Sequence, residues 1–125
     1  MEGKTPSLEG LVARVKAHPE ISRAGMILCH NGIVRGSDRS GAKRVRALKV
    51  AVDSSAIERI RSWGEEQPGI VTVAIEALAG ELHVGDDLLF VVVAGDLREN
   101  VFEVTRQVID RIKAGAVHKT EIYED

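Results

Sequence analysis

The run Leu88–Ala94, LLFVVVA, constrains the fold more than any other stretch of this chain. It is bounded by Gly85-Asp86-Asp87 and Gly95-Asp96, and it is too short to span a membrane. An apolar run of this length between turn residues fits a strand covered on both faces, although period alone leaves a short buried helix open. Its valines favour the strand, because β-branched side chains pack well on a pleated surface. Directly after it, Leu97, Val101, Val104, Thr105, Val108, Ile109 and Ile112 recur at three- and four-residue steps and make one apolar helical stripe. Asp96 with Glu99 three residues on predicts a capping box, and Gly115 stands where the helix is expected to close.

The rest of the chain supplies the elements around this pair. Ser7 is placed to cap a first helix running to about Ala17, with Leu8, Leu11, Val12 and Val15 inward and Pro19 beyond its end. Gly25–Val34 reads as a strand, and the next ten residues, RGSDRSGAKR, as a mobile loop. A second strand starts at Val45 and ends near Asp53, where Asp53 or Ser54 caps a helix to about Glu65. Gln67-Pro68-Gly69 turns the chain into a third strand, Ile70–Leu78; Gly80–Asp86 reads as a turn, and Val117 onward as a short extended tail. The order α-β-β-α-β-β-α-β predicts an α+β domain with a mixed sheet. With 125 residues, 44% of them hydrophobic, one domain spanning residues 1–125 is expected to bury a real core.

Composition narrows the function. A formal net charge of −2 argues against a general nucleic-acid binder, and 3% aromatic residues leave little for base stacking. His18, His30, His83 and His118 do not pair with one another or with the single cysteine at metal-ligand spacing, so no metal is expected. Cys29, within an apolar strand, is expected to be a buried, inert thiol. The amino-terminal residues contain no apolar segment of the signal-peptide kind and no run is long enough for a membrane helix, which predicts a cytoplasmic protein.

The distribution of charge says more than its total. Arg35, Arg39, Lys43, Arg44 and Arg46 are opposed locally only by Asp38. Such a loop is either a solvated surface segment or a basic lid. Arg98 lies at the start of the long helix, where free amides and an arginine suit an anion, unless it simply pairs with Asp96 or Glu99. Lys113 near the helix end is what the macrodipole favours in any case. Lys119 follows His118 in the tail. Cations at both ends of one helix, with a basic loop able to fold over it, point to an anionic ligand.

The pattern Gly80-Glu81-Leu82, Val84-Gly85-Asp86, the valine-rich strand, then Arg98, Phe102, Ile109-Asp110, Lys113, Lys119 and Glu121 resembles the MoaE family, the large subunit of molybdopterin synthase. A second patch, Gly25 followed by Gly32-Ile33-Val34-Arg35, is similar to the family's first strand. The resemblance covers about residues 25–123. It implies an α/β hammerhead joined to a small β-rich subdomain, and a homodimer at the centre of a heterotetramer. The implied activity converts cyclic pyranopterin monophosphate to molybdopterin, with sulfur delivered as a thiocarboxylate on the C-terminal Gly-Gly of a small ubiquitin-like subunit; no cofactor is implied. It places the two active-site lysines at Lys113 and Lys119 and the anion-binding arginines at Arg35 and Arg98. Arg39 and His118 are expected to complete the substrate-binding set. Where the family carries His-Arg pairs, this chain reads Ala77-Leu78 and Leu97-Arg98. That difference keeps open a non-catalytic homologue, a module binding a ubiquitin-like tail or a phosphorylated ligand.

Overall fold

The computed structural model describes residues 6–124. Helix α1 is Leu8–Lys16, strands β1 and β2 are Met26–Ile33 and Val45–Val52, and helix α2 is Ser54–Glu65. Strands β3, β4 and β5 follow at Ile70–Ala77, Gly80–His83 and Asp87–Gly95, then helix α3 at Arg98–Gly115 and strand β6 at Val117–Tyr123. Ser7 and Asp53 cap the first two helices as their sequences predict, accepting from the Gly10 and Ala56 amides at 3.0 and 3.1 Å.

The fold is α+β, but the expected mixed sheet is instead two antiparallel ones. The first has the order β1-β5-β3 and the second β4-β2-β6. The segment between β3 and β5 is too short for the crossover that parallel strands require, so the chain must return antiparallel. That segment is not merely a turn. Gly80–His83 pairs with β2, and the reversal is confined to His83–Asp86, where Gly85 takes a φ of +92°. The Val34 amide donates to the Asp86 carbonyl and the Gly85 amide to the Val34 carbonyl, both at 2.9 Å, so the turn is tied to the end of β1.

β5 is the middle strand of the first sheet and is covered on both faces. Leu89, Val91 and Val93 pack with Val101, Val108 and Ile112 of α3, while Phe90, Val92 and Ala94 pack with Leu11 and Val15 of α1. The first of these clusters also takes in Val45, Leu48, Val50 and Val117, so it joins the two sheets. Cys29, expected to be buried, is exposed. It lies on β1, an edge strand, and is the register partner of Val92 on the α1 side, where the helix leaves the edge uncovered.

The ends of α3 also depart from expectation. The N-cap is Leu97, with no side-chain cap, so the Asp96–Glu99 capping box does not form. The helix starts one residue too late for it. Asp96 instead accepts from the Asn100 side chain at 2.9 Å, and its carboxyl is held low by that bond and by the Leu97 amide. Gly115 ends the helix without a left-handed conformation, and the carbonyl of Ala116 beyond it accepts from the Asp53 amide at 2.8 Å.

α2 is latched to β3 through Glu65, which accepts from the Thr72 hydroxyl at 2.8 Å and the Val73 amide at 3.1 Å and pairs with Arg61 at 2.8 Å. Burial alone would raise its pKa, but these donors together hold it below its ordinary value. A depressed carboxylate stabilises the fold fully above its unfolded pKa, ordinarily 4.5, and that stability is lost as pH falls through the lower native value. Glu65→Gln should therefore flatten the acid limb of a plot of unfolding free energy against pH; an unchanged limb would rule the latch out. Ile112→Ala, at a fully buried position, should cost about 2–5 kcal/mol in denaturant unfolding.

Candidate anion-binding cleft

The site forms where the two sheets diverge, between the end of β1, the β1–β2 connection, the carboxyl end of α3 and the middle of β6. Side chains alternate across a strand, and directly opposed residues share a face. Lys119 and Glu121 on β6 stand opposite Val50 and Leu48 of β2, and so take the inner face. His118 stands opposite Ala51, on the outer face, beside Lys49, Glu81 and Thr120. The expectation that His118 belongs with the cations is therefore corrected: one residue of offset on a strand points it away from the cleft.

The cleft has a volume of about 750 Å³, in the range of small-molecule sites. Arg35, Arg39, Lys113 and Lys119 line it together with the apolar Ile33, Leu48, Leu88 and Leu89. Four of the six site residues expected from sequence are thus brought together. The basic connection is pinned by Asp38, which accepts from the Ser40 hydroxyl at 2.6 Å and whose backbone exchanges bonds with Lys43 and Gly41. Arg35 donates from Nε to the Ser37 carbonyl at 3.2 Å, which orients its guanidinium. The neighbouring cations point elsewhere: Lys43 lies 5.1 Å over the Tyr123 ring and Arg44 lies 4.0 Å from Glu124.

Arg98 is not in this cleft. It is the first residue of α3 and lines a separate surface groove with Met26 and Phe102. Fifteen residues of helix put it about 22 Å from Lys113.

Among the described residues, none of the four cleft cations forms a salt bridge. Their mutual repulsion is visible at Lys119. The residue is solvent-exposed overall, yet partial desolvation of its amine and the nearby Lys113 charge lower its pKa, with smaller contributions from Arg35 and Arg39. Glu121 acts in the opposite direction without cancelling them, and it also accepts from the Tyr123 hydroxyl at 2.6 Å. His30, which the sequence did not single out, is half-buried in the same cleft. Its parity was the available signal: it shares a face of β1 with Leu28 and Gly32, and Leu28 packs against the core. Chemically, the cleft can hold an anionic head group against its guanidinium and ammonium groups and an uncharged ring or a peptide tail against its leucines.

Residues 4–115 match the family described as MoaE protein. The chain belongs to the MoaE family. Among curated relatives, a molybdopterin synthase catalytic subunit from Pyrococcus abyssi is 32% identical over 108 residues, covering 83% of this chain and 72% of that protein. A probable molybdopterin synthase from Haloferax volcanii is 31% identical over 111 residues; the match covers 86% of this chain but only 42% of that longer protein. The solved MoaE protein from Burkholderia ambifaria superposes with a TM-score of 0.74 at 25% identity, covering 98% of this chain and 84% of that one. A Helicobacter pylori complex of subunits 1 and 2 of molybdopterin-converting factor shares the fold at a TM-score of 0.71 and 17% identity, covering 95% and 80%. The α+β architecture is the MoaE fold. No helix among the described residues is long and apolar enough to cross a membrane.

The electrostatic coupling in the cleft of this MoaE chain is directly measurable. Lys113→Met should raise the Lys119 pKa toward the ordinary lysine value, read by NMR titration of the side-chain amine. An unmoved titration would mean that the Lys113 charge does not contribute.

Proposed function

We propose that this chain is the catalytic subunit of a cytoplasmic molybdopterin synthase. In this reading, sulfur passes from the C-terminal thiocarboxylate of a small ubiquitin-like subunit to cyclic pyranopterin monophosphate, building the dithiolene of molybdopterin. The observation that carries it is the convergence of Arg35, Arg39, Lys113 and Lys119, without carboxylate partners among the described residues, in a cleft large enough for a pterin. Both reactants are anionic: one carries a phosphate, the other ends in a thiocarboxylate. Arg35 and Arg39 hold the phosphate, because a guanidinium matches two of its oxygens at once. Ile33, Leu88 and Leu89 provide an apolar wall for the ring or the Gly-Gly tail.

Lys119 and Lys113 act at the thiocarboxylate carbonyl. Negative charge develops on its oxygen as water adds to the carbonyl, and an ammonium held there in advance stabilises it; collapse then breaks the acyl–sulfur bond, leaving the sulfur on the pterin and a carboxylate on the tail. A lowered pKa makes the Lys119 ammonium a stronger donor to that oxyanion. The names of the Pyrococcus and Helicobacter proteins support a two-subunit synthase. Arg98, about 22 Å away along α3, is assigned to the cleft of a neighbouring protomer in a homodimer that forms the centre of a heterotetramer.

The second reading is a homologue that binds the tail or the pterin without turnover. It is favoured by Ala77-Leu78 and Leu97, which stand where the family carries histidine and arginine. A sulfur-transfer assay with a thiocarboxylated small subunit separates the two. Wild-type protein should form molybdopterin. Lys119→Ala should lose about 100-fold or more in rate, the scale of removing an oxyanion donor, with an unchanged unfolding midpoint. The wild-type rate should fall as pH rises through the lowered Lys119 pKa, because the charged form is the active one; a rise there would make the neutral amine a nucleophile instead. Binding of both partners without product would establish the non-catalytic reading.

A further inference from the structure

His30 stands in the cleft with no role in the scheme above. Its ring lies over the bare Cα of Gly32, where an added Cβ would come within 3.2 Å of Nε2. Its environment is set by burial and by the charge of Lys113, with no hydrogen bond from the protein contributing. The imidazole therefore has hydrogen-bonding capacity to offer a ligand.

The groups around it decide its charge. α3 contributes Lys113, the β1–β2 connection Arg35 and Arg39, and β6 Lys119 with the single carboxylate Glu121. β2 and β5 contribute only leucines to the cleft. The β5 carboxylate Asp87 is engaged by Asn31 at 3.2 Å, on the face of β1 opposite His30. In the empty cleft this excess of positive charge, together with partial burial, opposes a fifth cation. A dianion seated among the arginines and lysines reverses the local field and favours one.

We propose that His30 is an anion-coupled proton acceptor: neutral in the empty cleft, it takes a proton from solvent when a phosphate-bearing ligand enters, and becomes the cleft's fifth cation. The inference rests on reading the cleft as the site of a phosphate-bearing substrate, and it adds a residue and a proton to that reading. Its consequence is pH-dependent affinity. Coupling is reciprocal, so if a bound anion favours protonation, protonation tightens the anion. Binding should strengthen as pH falls through the His30 transition, and proton uptake should accompany binding near neutral pH.

The probe is sulfate, which stays dianionic throughout the histidine titration range, compared with chloride at equal ionic strength. Histidine ring resonances of the full chain are followed by NMR from about pH 4.5 to about pH 8. In chloride, His30 should titrate below the ordinary value of 6.5. Saturating sulfate should move it up by about one unit, equivalent to about tenfold tighter sulfate binding below both midpoints. The ring resonances of His18, His83 and His118, which lie outside the cleft, serve as reference signals. Lys113→Met should raise the His30 midpoint even in chloride. His30→Phe, and independently His30→Gln, should flatten the pH dependence of sulfate affinity. Sulfate that perturbs the cleft cations while leaving the His30 midpoint fixed would overturn the inference and leave the synthase reading intact. A moving midpoint in a protein that never transfers sulfur would do the reverse. Absence of sulfate binding at every pH would overturn this inference.

Discussion

The burial of β5 on both faces is the constraint from which the rest of the molecule follows. Every residue from Leu89 to Ala94 is buried, which is possible only for a strand with a neighbour on each edge and a helix over each face. β1 and β3 supply the edges, α1 one face, and α2 with α3 the other. Once the stripe from Val101 to Ile112 is seated on Leu89, Val91 and Val93, the axis of α3 is fixed, and so is the place where it stops. Lys113 projects from the last turn of that seated helix. β6 returns immediately after Ala116 and pairs with β2, which sets Lys119 within electrostatic reach of Lys113. The cleft is thus a consequence of core packing, because its cations sit on elements whose apolar sides have no other place to go.

Much of this was legible in the sequence because hydrophobic period is a local signal. The three helices and five of the six strands follow from it, and so do the Ser7 and Asp53 caps. What was missed depends on pairing, which is not local. β4 has four residues and starts at a glycine, and only its partner β2 makes it a strand. The short return from β3 to β5 already requires those two strands to be antiparallel; what is not local is that β2 pairs with β4 and β6 in a sheet of its own. Cys29 has the apolar neighbours of a core residue but sits on an edge strand. His118 and Lys119 could not be assigned to faces until the pairing of the tail with β2 was known, since parity alone does not say which face is inward. His30 was passed over for a related reason. As a lone histidine in an apolar run it carried no motif, and only the face it shares with Gly32 places it in the cleft.

Net charge also concealed the site. A chain of formal charge −2 holds a cleft with four cations and one carboxylate, because its other arginines are spent elsewhere. Arg61 is held between Glu58 and Glu65, and Arg106 between Glu103 and Asp110, in pairs three and four residues apart along their helices. Arg111 stacks on Trp63 at 3.7 Å. These local pairs each contribute little to stability, yet they remove cations from competition and leave the cleft as a separate positive region. Partial burial, and after it the charge of Lys113, lowers the Lys119 and His30 pKa values together. An anion relieves the repulsion, so the same arrangement that costs the empty protein something favours the occupied one.

The length of α3 then limits how the remaining cation can serve. A rigid helix cannot bring its first residue and its sixteenth to one small ligand, and Arg98 sits in a separate open groove beside exposed Leu97 and Phe102. An arginine there is also disfavoured by the helix macrodipole, and no side chain caps the first turn to offset it. Its position is mildly costly for the isolated chain, and the proposed homodimer is the reading that gives it a use. In the homodimer proposed above, each α3 start would serve the other protomer's cleft, so that one helix contributes to two sites with its two ends. The exposed apolar side chains next to Arg98 would then be covered by the same contact that delivers the guanidinium, linking assembly to completion of the anion site.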